Sequence, residues 1–168
     1  MTDVLKVAPL EAEAFRLYGE VIAAGTARET LSINEGHTRR YHDLAPLDMM
    51  EGGGRPVLSL FLSRPKAWPL ELALMERHPL GSQVFLPRSE RPFLVVVAPP
   101  GPFRREAMRA FLARGVGISY RRGTWHHYSL ALGEESAFWV IDREGPGENC
   151  DEIVLDPPMR VDFGNLLP

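Results

Sequence analysis

The feature that most constrains this fold is the frequency with which glycine and proline interrupt short apolar runs. The 168 residues include 15 Gly and 15 Pro, and the apolar runs between them are only a few residues long. Short runs bounded by turn residues are typical of β-strands. Because such runs greatly outnumber helical segments, the sequence predicts a mainly β fold of the barrel or sandwich type.

The clearest strand candidates are the apolar stretches 56–63 and 93–98. Other strands are predicted at 4–7, 31–34, 39–44, 83–86, 116–120, 128–132, 137–141 and 152–155. A brief helix is predicted at 11–18 and a longer one at 105–113, where apolar residues recur at helical spacing. No internal repeat or long linker divides the chain, so we expect residues 1–168 to form one catalytic domain.

Composition excludes several classes of function. The net charge is −3, and no basic stripe with interleaved aromatic residues is present, which argues against nucleic-acid binding. The longest apolar run, 93–100, is too short to span a membrane, and the first residues lack the apolar core of a signal peptide. Cys150 is the single cysteine, which suits a reducing compartment. We therefore expect a cytoplasmic protein with a small-molecule substrate.

Two polar patches are the candidate active site. Glu76 and His78 are two residues apart, so both side chains leave the same face of an extended strand. Gln83 follows a proline and a glycine that bend the chain. The second patch, 121–127, contains His126 and lies between two apolar runs. We expect the two patches to meet within a β-barrel.

The spacing within these patches matches the two signature motifs of the cupin barrels. Glu76, His78 and Gln83 occupy the positions of the first motif, and the second runs from Gly115 to His126. The resemblance implies a cupin-like fold, that is, a double-stranded β-helix or jelly-roll barrel with one or two short helices. In metal-binding cupins the residues at the positions of Glu76, His78, Gln83 and His126 hold the ion. Because glutamine is a neutral ligand, a divalent cation should bind here more weakly than in the usual set.

A longer series of segments carries a closer resemblance. These are P-L-x-x-E-A-F-x-x-Y-G-E-V-I (9–22), I-N-x-G (33–36), R-Y-H-D-L-A (40–45), E-R-H-P-L-G-S-Q-x-F-x-P (76–87), Y-x-R-G-x-W-H-H (120–127), I-D-R (141–143) and N-C-D (149–151). In this order they resemble the ureidoglycolate lyases of allantoin breakdown. Two residues depart from the family pattern: Arg121 stands where His is common, and Tyr128 stands where Pro is common.

The family resemblance implies a homodimeric enzyme that splits (S)-ureidoglycolate into glyoxylate and urea. This elimination requires a base, an acid and a cationic anchor, and it requires no redox cofactor. We expect His78 and His126 to share proton transfer or to hold a divalent cation. Glu76 is expected to orient the substrate or act as the base, and Gln83 to donate to the developing aldehyde oxygen.

The substrate-binding residues are predicted from the same segments. A guanidinium matches a carboxylate with two parallel hydrogen bonds, so Arg40, Arg77 or Arg122 is expected to hold the acid group. Tyr120 and Arg122 are two residues apart and are predicted to share a strand face, which favours Arg122. Asn34, with a donor and an acceptor, is expected to bind the urea portion.

Two alternatives stay open at this point. The first is another metal-dependent cupin enzyme, an isomerase or an oxygenase, and the second is a non-catalytic cupin that binds a small carboxylic acid. Two further side chains are given structural roles. His127 alternates to the face opposite His126, and Cys150 is predicted to be an inert buried thiol.

Overall fold

The structure is a computed structural model, and it describes residues 4–167. Fourteen strands and one short α-helix are present among these residues. The elements are β1 (Val4–Pro9), α1 (Ala12–Phe15), β2 (Gly19–Ile22), β3 (Glu29–Ile33), β4 (Thr38–His42), β5 (Arg55–Ser63), β6 (Glu71–Arg77), β7 (Gln83–Pro87), β8 (Phe93–Ala98), β9 (Arg109–Ala113), β10 (Gly117–Tyr120), β11 (Trp125–His126), β12 (Leu130–Ala131), β13 (Ser136–Glu144) and β14 (Asp151–Asp162). Single 3₁₀ turns occur at Ala24–Thr26, Asn34–Gly36, Glu51–Gly53 and Arg105–Ala107.

Six strands form a closed barrel in the order β11-β6-β14-β1-β9-β8, and β8 pairs again with β11. The short strand β11 therefore closes the ring, with His126 opposite Glu76 on one side and opposite Val97 on the other. Most neighbouring strands are antiparallel, whereas β1 runs parallel to both β14 and β9. Closure removes the open edges that a sheet of this size would otherwise expose.

The second sheet has five strands in the order β2-β10-β7-β13-β5 and packs against the barrel. Strand β8 shows how the two layers share a core, because all its side chains are buried. Leu94, Val96 and Ala98 join the apolar cluster supplied by the barrel strands. Phe93 and Val95 instead join the second cluster, which contains aromatic residues of the five-stranded sheet. The candidate site lies between the two layers, with Glu76 and His126 on barrel strands and Gln83 and Tyr120 on the five-stranded sheet.

Strands β3 and β4 form a separate two-stranded hairpin. Leu31 pairs with Arg40 and Ile33 with Thr38 across it, and Asn34 begins the turn. The side-chain amide of Asn34 donates to the Thr38 hydroxyl at 3.0 Å, which closes the turn. Within residues 4–167, neither strand pairs with a third one.

The predicted helix at 105–113 is wrong. This segment contains one 3₁₀ turn, Arg105–Ala107, followed by the strand β9. Four successive residues of β9 are buried, since the strand lies in the barrel wall and contacts apolar layers on both faces. A strand buried on both faces has a continuous apolar sequence, which can imitate helical periodicity over so short a segment.

The predicted helix at 11–18 is shorter than expected, because α1 covers only Ala12–Phe15 and turns continue to residue 18. Most predicted strands are present with shifted ends. The mainly β, cupin-like architecture predicted from the sequence is confirmed. None of the helices within residues 4–167 has the length and apolar character needed to cross a membrane.

Candidate active site

The two polar patches meet where β11 pairs with β6. His126 on β11 lies opposite Glu76 on β6, and the Glu76 carboxylate is 3.8 Å from Nδ1 of His126. His78 follows the end of β6, and its ring centre is 5.1 Å from that of His126. The ligand-type atoms of these three side chains lie within 4.8 Å of one another. The sequence prediction that the patches converge is therefore met.

Backbone carbonyls fix the orientation of both imidazoles. Nδ1 of His78 donates to the carbonyl of Asn149 at 2.7 Å, and Nδ1 of His126 donates to the carbonyl of His127 at 3.2 Å. A neutral imidazole that donates from one nitrogen carries a lone pair on the other. The buried Nε2 atoms of His78 and His126 have no hydrogen-bond partner among the described residues. The Nε2 atom of each ring is thus an unpaired acceptor that can receive a hydrogen bond from a ligand.

Burial shifts the pKa values of His126 and Glu76 in opposite directions. His126 is 1% exposed, and loss of hydration together with the neighbouring His78 lowers its pKa to about 3. His126 is consequently neutral at physiological pH. Burial raises the pKa of Glu76, although the nearby His78 opposes this effect and Glu152 adds to it. A carboxylate with a raised pKa is a stronger base than an exposed one.

The five-stranded sheet supplies the opposite wall. Tyr120, on β10, is buried and stacks on the His126 ring with centroids 4.3 Å apart and planes 3° apart. Gln83, on β7, lies beside Tyr120 in the strand register. Its Nε2 donates to Asp142 at 3.4 Å, while its buried Oε1 has no partner within residues 4–167. In this orientation Gln83 offers an acceptor, whereas the sequence prediction made it a donor.

A cavity of about 310 Å³ opens beside this group. Its lining includes His78, Ser82, Gln83, Asp142, Asn149 and Cys150. Glu76 and His126 lie next to His78 but are not part of the lining. The cavity is larger than a molecule of a few heavy atoms requires, and its lining is rich in polar groups. It therefore suits a small, polar acid better than an apolar ligand.

Several lining residues were not among the predicted site residues. Asn149 positions His78 through its carbonyl and also accepts the backbone N–H of Leu80 at 2.8 Å through its side chain. Asp142 orients Gln83. Asp142 belongs to the I-D-R segment and Asn149 to the N-C-D segment, and these family segments were the sequence signal that could have identified them. Cys150 is exposed and lines the cavity, so its prediction as a buried thiol is wrong.

Arg77 faces away from the cavity, as expected for a residue that alternates with Glu76 on a strand. Its Nε donates to Asp151 at 2.7 Å and its Nη1 donates to the carbonyl of Gly101 at 2.9 Å. The guanidinium also lies 4.6 Å from the ring centre of Trp125. Through these contacts the guanidinium of Arg77 has a structural role.

Arg122 does not share a strand face with Tyr120, because β10 ends at Tyr120 and Arg122 lies in the following turn. Its Nε and Nη2 donate to the two carboxylate oxygens of Asp48 at 2.9 and 2.5 Å, and its Nη1 pairs with Glu51. Both acids belong to the 43–54 loop, which connects β4 to β5. The predicted carboxylate anchor is therefore bound to carboxylates of its own chain.

Asn34 and Arg40 are not brought to the cavity of their own chain. Both lie on the exposed β3–β4 hairpin, and neither lines the cavity beside His78. Among the three arginines predicted to hold the substrate, Arg40 is the one with no hydrogen bond or ion pair inside residues 4–167.

The cupin fold implies a metal site, and the side chains at this position offer donors for one. The unpartnered Nε2 atoms of His78 and His126 and the carboxylate of Glu76 are nitrogen and oxygen donors suited to a borderline divalent cation. The buried Oε1 of Gln83 adds a neutral oxygen on the facing wall. The residues present are compatible with a divalent cation of modest affinity.

A cupin-like barrel with a polar cavity, an imidazole pair and a perturbed carboxylate defines an enzyme that acts on a small molecule. Comparison with protein-family models matches residues 2–162 to the family described as ureidoglycolate lyase. The chain belongs to this family.

Curated relatives agree with this assignment. A ureidoglycolate lyase of Burkholderia cepacia is 49% identical over 164 residues, covering 96% of this chain and 92% of that protein. One from Azotobacter vinelandii is 47% identical over 151 residues, covering 89% and 90%. One from Rhizobium etli (strain CIAT 652) is 45% identical over 162 residues, covering 96% and 97%. The similarity extends over nearly the full length of each pair.

Proposed function

We propose that this enzyme eliminates urea from (S)-ureidoglycolate to give glyoxylate, as a step in allantoin and purine degradation. The observation that carries the proposal is the position of His78. It lines the polar cavity, its Nδ1 is fixed by Asn149, and its free Nε2 lies beside Glu76 and His126. Membership of the ureidoglycolate lyase family supplies the substrate class.

The reaction needs only one proton to change place. Ureidoglycolate carries a hydroxyl group and a ureido nitrogen on the same carbon, next to a carboxylate. The hydroxyl loses its proton, the C=O bond of glyoxylate forms, the C–N bond breaks, and the nitrogen of urea gains a proton. A base near the hydroxyl and an acid near the nitrogen are sufficient, and positioned proton transfer of this kind contributes about a hundred- to ten-thousand-fold.

We assign the base to Glu76, whose pKa is raised by burial. His78 is assigned the transfer of that proton: its free Nε2 receives the hydroxyl proton from Glu76 and passes it to the departing nitrogen, because His78 is the imidazole that lines the cavity. His126 is too deeply buried to carry a proton at physiological pH, so it acts as a neutral acceptor that orients Glu76 and His78. Gln83 accepts an N–H of the urea portion through its Oε1.

No cofactor is required by this scheme. Where a divalent cation binds, Glu76, His78, His126 and Gln83 would hold it, and it would stabilise negative charge on the substrate oxygens. The same cluster supports a second candidate function, a metal-dependent cupin enzyme with other chemistry. Tight, stoichiometric metal in the purified protein, together with failure to release urea, would favour that second function.

The assembly and location belong to the same proposal. We infer a homodimer in the cytoplasm, because the family resemblance implies both. The substrate carboxylate requires a cation, and Arg77 and Arg122 are held by carboxylates of the same chain. Arg143 lines the cavity, but its Nη1 and Nη2 donate to backbone carbonyls of the same chain. Arg40 is therefore the arginine that we assign to the carboxylate.

The test is an assay that measures glyoxylate and urea separately from each enantiomer of ureidoglycolate. We expect the two products in equal amounts from the (S) form, and a loss of at least about a hundredfold in kcat for His78→Ala. Lys6→Ala is the control, because Lys6 is exposed on β1 and does not line the cavity. Release of ammonia in place of urea, or no turnover by the wild-type protein, would refute the proposal.

A further inference from the structure

The β3–β4 hairpin is a well-formed element without a packing partner in its own chain. Its strands pair only with each other within residues 4–167, and nearly all of its side chains are exposed. A two-stranded hairpin on its own is at best marginally stable in water. A hairpin with this exposure therefore needs a second surface to cover one of its faces.

The register shows which face would be covered. Leu31 and Ile33 share one face with Arg40, since Leu31 pairs with Arg40 and side chains alternate along each strand. Arg39 pairs with Ser32 on the other face, which carries mainly polar groups. The face with Leu31 and Ile33 is the one that gains from burial, and Arg40 lies within it.

An arginine buried in this way requires an anion. Arg40 has no hydrogen bond or ion pair within the described part of its own chain. The cavity beside His78 offers the complementary arrangement, because Asp142 and Glu148 line it and Glu76 lies next to it. The cavity has one arginine in its own lining, Arg143, whose Nη1 and Nη2 donate to backbone carbonyls of the same chain. The neighbouring Arg77 and Arg122 are paired with carboxylates.

A second copy of the chain is the occupant that fits both surfaces. Two copies related by a twofold axis can exchange equivalent elements, so that each receives the same contact that it gives. A second apolar surface is available for contact between copies. Leu58, Leu60 and Leu62 project from the edge strand β5 beside Trp139 of β13, and all four are exposed.

We infer that the hairpin of one copy covers the cavity of its partner and that its Arg40 binds the substrate carboxylate there. Each active site is then built from two chains, with Glu76, His78 and Gln83 from one copy and Arg40 from the other. This inference rests on the proposed function for the nature of the substrate. It explains why Arg40 lies away from the site of its own chain.

The first test compares two adjacent arginines on opposite faces of the hairpin. We expect Arg40→Ala to lower kcat/KM for ureidoglycolate by about a hundredfold through loss of a paired charge contact. Arg39→Ala should stay within about twofold of wild type because Arg39 lies on the other face. Equal activity of Arg40→Ala and wild type would overturn the inference.

The second test places the two halves of the site in different chains. A heterodimer of one Arg40→Ala chain and one His78→Ala chain is isolated with two affinity tags. With sites shared between copies, one of its two sites is intact, so it should show about half of the wild-type activity although both parent homodimers are defective. A heterodimer as defective as its parents, or a monomeric wild-type protein that is fully active, would overturn the inference. Absence of turnover by wild type would instead refute the proposed function.

Discussion

At the scale of single residues, Glu76 is the group whose chemistry depends most on its surroundings. It pairs in register with His126 on one side and with Glu152 on the other. Burial and the charge of Glu152 raise its pKa, and the nearby His78 opposes this rise. With its pKa raised in this way, the carboxylate is a stronger base than an exposed glutamate.

Replacing Glu76 by glutamine tests this role. We expect Glu76→Gln to lower kcat by about a hundred- to ten-thousand-fold, and to change KM little because the amide has the same shape. The acidic limb of the pH profile should also be lost. Steady-state kinetics between pH 4 and 9 provide the measurement.

Glu152→Gln is the matched control. Removal of this charge lowers the pKa of Glu76, so the acidic limb should move to lower pH without disappearing. A Glu76→Gln protein with wild-type kcat and an unchanged limb would exclude Glu76 as the base.

The contrast between Glu76 and Arg122 shows how far a sequence can predict a site. The convergence of Glu76, His78 and His126 was predictable, because strand alternation and motif spacing are local properties. The binding of Arg122 to Asp48 was not, since the two residues are far apart in sequence and meet only through the fold. Asp142 and Asn149 lie in family segments, but their contacts with Gln83 and His78 depend on the fold and were not predicted.

At the scale of elements, β9 shows the limit of periodicity. Its last four residues carry apolar side chains that contact both core layers, and pairing with β1 and β8 determines its conformation. Such strand pairing overrides the local conformational propensity of the residues, and it cannot be predicted from the local sequence pattern. The strand β8 was predicted with its observed ends, because its β-branched residues have weak helical preference.

The 43–54 loop lies beside the cavity, because it contacts the lining residues Ser82 and Arg143. Arg122 forms ion pairs with Asp48 and Glu51 of this loop. The Ser82 hydroxyl accepts the backbone N–H of Asp48 at 3.0 Å, and Arg143 donates to the carbonyl of Glu51 at 3.1 Å. Surface ion pairs of this kind contribute at most about 1 kcal/mol each. The remaining contacts should therefore keep the loop folded when Arg122 is removed.

We expect Arg122→Ala to increase amide exchange in residues 48–54 by about five- to tenfold and to raise KM a few fold, with little change in kcat. Hydrogen–deuterium exchange and steady-state kinetics measure the two effects. Arg121→Ala is the control, because both contacts of exposed Arg121 lie outside this loop: a hydrogen bond to the Arg16 carbonyl at 3.1 Å and an ion pair with Glu20 at 3.5 Å. Unchanged exchange with a hundredfold rise in KM would show that Arg122 binds substrate directly.

At the scale of the whole molecule, the fold places imidazoles where hydration is poor. His126 lies between the barrel and the five-stranded sheet, and His127 beside it is 2% exposed. Burial lowers the pKa of His126 to about 3 and that of His127 to about 4. An unfolded chain restores both to about 6.5.

Stability should therefore depend on pH in a defined direction. Between about pH 4 and 6.5 the unfolded state binds protons that the native state does not, so the free energy of unfolding falls as the pH falls. We expect a loss of about 2 kcal/mol per histidine between pH 8 and pH 5. Urea denaturation at several pH values, with a chelator present to keep the imidazoles free, measures this change.

His126→Asn should remove about half of the histidine contribution, whereas His37→Asn should retain all of it because His37 is exposed. Glu76 acts in the opposite direction, since its raised pKa makes the native state bind a proton more readily as the pH falls. Glu76→Gln should accordingly steepen the loss of stability toward acid. A free energy of unfolding that stays constant from pH 8 to 5 in both Glu76→Gln and wild type would contradict the placement of neutral imidazoles in the core.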